Sequence, residues 1–177
     1  ALAALKPAKP INPDSLSYRE TEVTIPVANK NYLMASAAGI FKGRKAMGGD
    51  PPVTRTPVGL FTISASGKPA VQAAMIPGEL YPELSLGRIS RDPNADFPDA
   101  PFEPGIKSDI LTAPIRMVVG LANDEIGYII PKAQWDLQPP YTFGAAKQWY
   151  GEVNSVGPEA APLIIQAVRT LADEPRR

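Results

Sequence analysis

At 177 residues and 18.9 kDa the chain is long enough for one domain with a real core and short for two. Lysine plus arginine equals aspartate plus glutamate at 18 each, with no basic block, which leaves no electrostatic footprint for nucleic acid or an anionic membrane. There is no cysteine and no histidine, which excludes disulfides, thiolate nucleophiles, a Ser-His-Asp triad and imidazole-built metal sites unless the missing groups come from elsewhere.

Residues 1–14 read as an extended Pro-rich arm, because Pro7, Pro10 and Pro13 recur every third residue with lysines between them. Residues 15–177 read as a single α/β domain. Over 18–27, Thr21, Val23 and Ile25 alternate with Glu20, Glu22 and Thr24, the pattern of a half-buried strand that Pro26 closes. Asn29 is placed to cap a helix over 29–41 bearing Tyr32, Leu33, Ser36, Ala37 and Ile40. Lys42, Arg44 and Lys45 suit its C-terminus, Gly43 its stop, and 48–52 is a loop. Strand character follows at 53–56, 59–64 and most strongly at 70–76, where only Gln72 interrupts the apolar run. Ser66-Gly67-Lys68 has the turn chemistry of a hairpin between the last two.

The run then stops at Ile76-Pro77-Gly78-Glu79, which delivers a carboxylate to a strand end, where ligands of helix-covered sheets bind. The plainer reading is that Glu79 opens a helix carrying Leu80, Leu84 and Ile89, its charge favoured by the helix dipole. Next, 91–112 reads as an acidic, structureless loop with four prolines, without the regular spacing of a calcium loop. Residues 115–121 read as a second buried strand around Met117, Val118 and Val119. A polar kink at 122–125 separates it from another strand-like run at 126–130. A helical turn at 132–136 and a loop at 138–141 follow, and 148–158 is too polar to read as core. Leu163, Ile164, Ala167, Val168 and Leu171 share one face of a terminal helix. The fold class expected is α/β or α+β, a mixed sheet with short flanking helices and a C-terminal amphipathic helix.

Three motifs stand in order over roughly 53–171: Ile76-Pro77-Gly78-Glu79; Gly120-Leu121-Ala122-Asn123 with Gly127-Tyr128-Ile129-Ile130-Pro131; and Tyr150-Gly151-Glu152-Val153-Asn154-Ser155-Val156-Gly157-Pro158. Together they resemble the C-terminal part of the catalytic domain of neutral/alkaline (non-lysosomal) ceramidases and their bacterial relatives. The resemblance implies a hydrolase of the amide bond of ceramide or a related N-acyl lipid, with one zinc ion held by two histidines, a glutamate and a tyrosine. Glu79 matches the ligating glutamate and Tyr128 the ligating tyrosine, both oxygen donors that zinc accepts. Tyr150, Asn154, Ser155 and Gly157 are expected to line the substrate. The family's histidines have no counterpart here, so zinc binding implies an N-terminal portion or partner chain of the same enzyme. Apolar surface that such a portion covers would make the isolated chain self-associate. A secreted or periplasmic location would follow from the family, no nucleic-acid partner is expected, and no apolar run is long enough to span a bilayer.

Two readings from other classes compete with this one. One is a non-catalytic binding or interaction module that kept the fold without the metal site. The other is an enzyme using paired carboxylates, Glu79 with Glu83 or Glu125, across a cleft.

Overall fold

The computed structural model describes residues 7–8, 10–41 and 51–173. The predicted features at Lys42, Gly43, Arg44 and Lys45, most of the 48–52 loop and the first part of the arm lie outside these residues. In chain order the main elements are β1 (Ser15–Pro26), α1 (Lys30–Ala37), β2 (Val53–Ala65), β3 (Lys68–Met75), β4 (Glu79–Leu80), α2 (Pro82–Leu86), β5 (Ile115–Val119), β6 (Tyr128–Ile129), α3 (Tyr150–Val153) and α4 (Ala160–Asp173). This is the mixed α/β class expected from the sequence, with a C-terminal helix. No helix among the described residues is long and apolar enough to cross a membrane.

Alternation along β1 and β2 builds the main sheet, whose order is β1-β2-β3-β5. β1 and β2 pair antiparallel from Ser15↔Ser64 to Pro26↔Val53, so the two segments predicted at 53–56 and 59–64 are one strand. β2 turns into β3 through Ser66 and Gly67, both left-handed (φ 52° and 70°), the conformation of a tight hairpin. β5 then joins the far edge parallel to β3. Gln72, the polar interruption in the β3 run, accepts hydrogen bonds from the Thr112 and Ala113 amides at 2.8 and 2.9 Å. It thereby fixes where the chain enters β5.

One face of this sheet is the core. Val23 and Ile25 of β1 and Val58 and Leu60 of β2 pack with Ile164, Val168 and Leu171 of α4, together with Leu84 of α2. The apolar stripe read from the sequence is thus the buried side of α4, while Gln166, Arg169 and Thr170 are exposed. The 91–112 segment is not structureless throughout: Ile106–Ile110 forms a π-helical turn whose Ile106 and Ile110 enter the same core. Asn29 caps α1 as expected, its side chain accepting from the Asn31 and Tyr32 amides, but the helix ends at Ala37 and buries none of its residues. The expected helix from Leu80 is only α2, which begins at Pro82, so Glu79 is a strand residue and opens no helix. The 126–130 run contributes only the two-residue β6. Of the 148–158 stretch, Gly151, Glu152, Ser155, Val156 and Gly157 are buried, because its backbone is threaded beneath β6.

The opposite face of the sheet carries an apolar patch whose outer strands β1 and β5 are exposed among the described residues, while Val71 and Ala73 in its middle are buried. Its register places side chains in three rows across the strands: Leu16-Ile63-Val71-Ile115, Tyr18-Phe61-Ala73-Met117 and Glu20-Gly59-Met75-Val119. Glu20 is the one charged residue in these rows, and it accepts the Tyr18 hydroxyl proton at 2.6 Å. The strand expected to be buried at 115–121 is therefore an exposed edge, with Ile115, Met117 and Val119 at 46%, 43% and 39% exposure. Its apolar run has the composition of a strand covered on both sides, and the described residues cover only one. An open apolar edge of this kind drives association. The wild-type chain should scatter light as species larger than its 18.9 kDa monomer. Ile115→Lys combined with Met117→Lys should return it to monomer with stability changed by no more than about 0.5 kcal/mol per site. A monomeric, freely soluble wild type would contradict this.

Candidate functional site

The site begins where β3 changes partner. The Ile76 amide still donates to the Val119 carbonyl of β5 at 2.8 Å, whereas the Glu79 amide donates to the Gly127 carbonyl at 3.1 Å and the Tyr81 amide to Ile129 at 3.0 Å. Pro77-Gly78 is the crank between the two pairings. From it, Pro77 accepts the Ile126 amide and Gly78 the Leu121 amide, so the polar kink after β5 is tied to the same two residues. Two glycines permit this. A Cβ on Gly78 would lie 2.4 Å from the Gly127 carbonyl oxygen, and one on Gly127, which sits at φ +87°, would lie 2.0 Å from the Asn154 carbonyl oxygen.

The crank brings the two expected metal ligands together. Glu79 and Tyr128 are register partners in the parallel β4–β6 pair, which sets the carboxylate beside the phenol. The Glu79 carboxylate next to it, together with burial, raises the Tyr128 pKa above its usual 10. The Tyr128 ring meets Tyr81 edge-on at 6.1 Å and Tyr150 edge-on at 5.8 Å between centroids. Tyr150 is exposed, so an aromatic surface borders the Glu79–Tyr128 pair.

The remaining expected site residues lie under this surface. The Tyr128 amide donates to the Asn154 carbonyl at 2.9 Å, and the Asn154 side-chain amide donates to the Tyr150 carbonyl at 2.9 Å. Ser155 is buried, bridges to Gly127, and accepts the Gly157 amide on its hydroxyl; Gly157 is buried against Ala28. Asn154, Ser155 and Gly157 thus hold the strand that carries Tyr128, while Tyr150 faces outward. Glu125 accepts the Gly127 amide at 2.6 Å, and Glu83 lies on α2.

Two oxygen donors side by side fit half of a four-coordinate zinc shell. Among the described residues no group of three or more histidine, cysteine, aspartate or glutamate side chains is arranged to hold a metal ion. The chain contains no histidine to complete such a shell.

Sequence reasoning missed Tyr81 and Glu152. Tyr81 follows Glu79 at the strand spacing of two, which was the available signal. Burial pushes its pKa up to about 12, with the charges of Glu152 and Glu83 and the neighbouring Tyr128 adding to the effect. Glu152, only 3% exposed, carried no signal beyond its motif. Burial raises its pKa to about 7, with the negative charges of Asp136 and Asp96 acting in the same direction.

Comparison with protein-family models, with curated proteins and with solved structures finds no match to this chain.

A carboxyl whose pKa rises on folding holds its proton more tightly in the folded chain. Its contribution to stability is complete below its ordinary 4.5 and is lost as pH rises through about 7. Glu152→Gln, neutral at every pH, should therefore match wild type in urea denaturation at pH 4. At pH 8 it should exceed wild type by on the order of 3 kcal/mol. Equal stabilities at pH 8 would show that Glu152 ionises without hindrance.

Proposed function

We propose that this chain is the C-terminal portion of a ceramidase-like, zinc-dependent amidase acting on ceramide or a related N-acyl lipid. The observation that carries the reading is the juxtaposition of Glu79 and Tyr128. The two residues singled out by motif as ligands of one metal, far apart in sequence, are register partners on neighbouring strands. Their place supports the reading as well. They stand just past the C-terminal end of β3 beside that of β5, where open α/β sheets hold their ligands.

Glu79 and Tyr128 would hold the metal through a carboxylate and a phenolic oxygen, and an N-terminal portion of the enzyme would supply two histidines. When bound, zinc supplies Lewis-acid polarisation of the amide carbonyl. This chain's own residues do the positioning. The Gly78–Gly127 contact locks the register of the two ligands, and the Asn154 carbonyl anchors the Tyr128 backbone. Tyr150, with the exposed Val119 and Leu121 near the crank, offers aromatic and aliphatic surface to a lipid chain. The exposed apolar patch of the sheet fits a chain that folds against further polypeptide.

The test is elemental analysis of the chain alone and after co-expression with the coding sequence immediately upstream. Zinc at about one equivalent should be present only in the co-expressed sample, and Glu79→Gln or Tyr128→Phe should lower metal affinity at least about tenfold. Amide hydrolysis should track the metal. Absence of zinc from both samples would sink the metalloenzyme reading and leave a non-catalytic binding module.

A further inference from the structure

Tyr81 has two sides. One meets Tyr128, and the other lines a separate cavity of about 220 Å³.

Two carboxylates line the cavity, those of Glu83 and Glu152. Each has a buried Oε2 with no hydrogen-bond partner, and Glu152 is 3% exposed. The neutral groups around them are largely committed. The Trp149 indole N–H donates to the Thr142 hydroxyl at 3.1 Å, and that hydroxyl donates to Asp136 at 2.9 Å. The Gln134 side-chain amide is turned to the Ser90 carbonyl and hydroxyl. Beside the two carboxylates the lining keeps the hydroxyls of Tyr81 and Ser90, and no lysine or arginine stands among the described residues lining it.

The mouth has a different character. Phe143 and Trp149 line the same cavity and are 60% and 42% exposed. Phe143 is held there in a left-handed backbone conformation (φ 53°), its amide donating to Asp92 at 2.7 Å. Exposed aromatic rings over buried carboxylate oxygens are the surroundings that recognise a cation carrying N–H donors. A metal ion is the poorer fit, because the acids here do not form a set of three that could hold one.

We infer that this cavity binds a small organic ammonium group, with Glu152 and Glu83 accepting its N–H bonds and Trp149 and Phe143 flanking the mouth. The site does not rest on the amidase reading, since a chain that never holds zinc keeps the cavity.

The test is a titration of the ¹⁵N-labelled chain with ethanolamine hydrochloride at pH 8, following the Trp149 indole N–H by NMR. Trp135, which does not line the cavity, is the internal control. The controls are ethylene glycol, the neutral isostere, and potassium chloride at the same ionic strength. A saturable shift of the Trp149 signal with ethanolamine alone is expected. Glu152→Gln and Glu83→Gln should each raise the Kd at least tenfold while the spectra retain native dispersion. No shift with ethanolamine, an equal shift with ethylene glycol or potassium chloride, or unchanged affinity in both variants would overturn the inference. Zinc content is measured separately, so either proposal can fail alone.

Discussion

The contact on which the rest depends is between two backbones, Gly78 against the carbonyl of Gly127. A side chain at Gly78 would overlap that oxygen, and one at Gly127 would overlap the carbonyl of Asn154. Three segments are therefore stacked at a spacing only glycine allows. Because they are, the chain leaving β3 can drop its hydrogen bonds to β5 and take up new ones to Gly127 and Ile129 within a few residues. Everything attributed to the site follows from that exchange. Glu79 falls opposite Tyr128, Tyr81 falls one strand repeat further, and the Asn154 strand is pinned underneath.

The site also sits where two unlike surfaces meet. The sheet is packed on one face by α4 and carries an exposed apolar patch on the other among the described residues, and the crank leaves β3 next to the edge strand β5. Burying apolar area is worth roughly 25 cal/mol per Å², so an apolar face this regular is a standing drive toward association. A catalytic or binding centre built at such an edge gains its remaining walls from whatever covers the face. The same exposed edge strand lies beside the crank that carries the Glu79–Tyr128 pair.

Much of this was legible in the residues. Alternation through Thr21, Val23 and Ile25 located β1 and its buried side, Ser66-Gly67 marked the hairpin, and the Leu163-to-Leu171 stripe marked α4. The failures share a cause: pattern reports what a side chain would prefer, and neighbours decide what it gets. Met117, Val118 and Val119 have the composition of an interior strand, but β5 ends the sheet, and its outward side chains meet no second layer among the described residues. Glu79 has the charge to open a helix, but two backbone hydrogen bonds to the 127–129 strand outweigh the dipole preference. Tyr81 and Glu152 were invisible for a related reason. Little beyond the Glu79–Tyr81 spacing distinguishes them locally, and their environment comes largely from other segments, Tyr128 and Glu152 beside Tyr81 and Asp96 and Asp136 beside Glu152.

Tyr81 shows how the two halves of this region stay separate. Acids stand on both of its sides, Glu79 beyond Tyr128 on one and Glu83 with Glu152 on the other. In a poorly solvated setting, charges of like sign act on one another over several ångströms with little screening. An ionised wall between them would add a further negative charge to a crowded place. With its pKa pushed to about 12 by burial first and then by the charges of Glu152 and Glu83, Tyr81 remains a neutral phenol at any physiological pH. Burial thus keeps the dividing residue neutral, with Glu152 and Glu83 acting in the same direction. A single uncharged ring therefore separates the Glu79–Tyr128 pair from the Glu83 and Glu152 carboxylates.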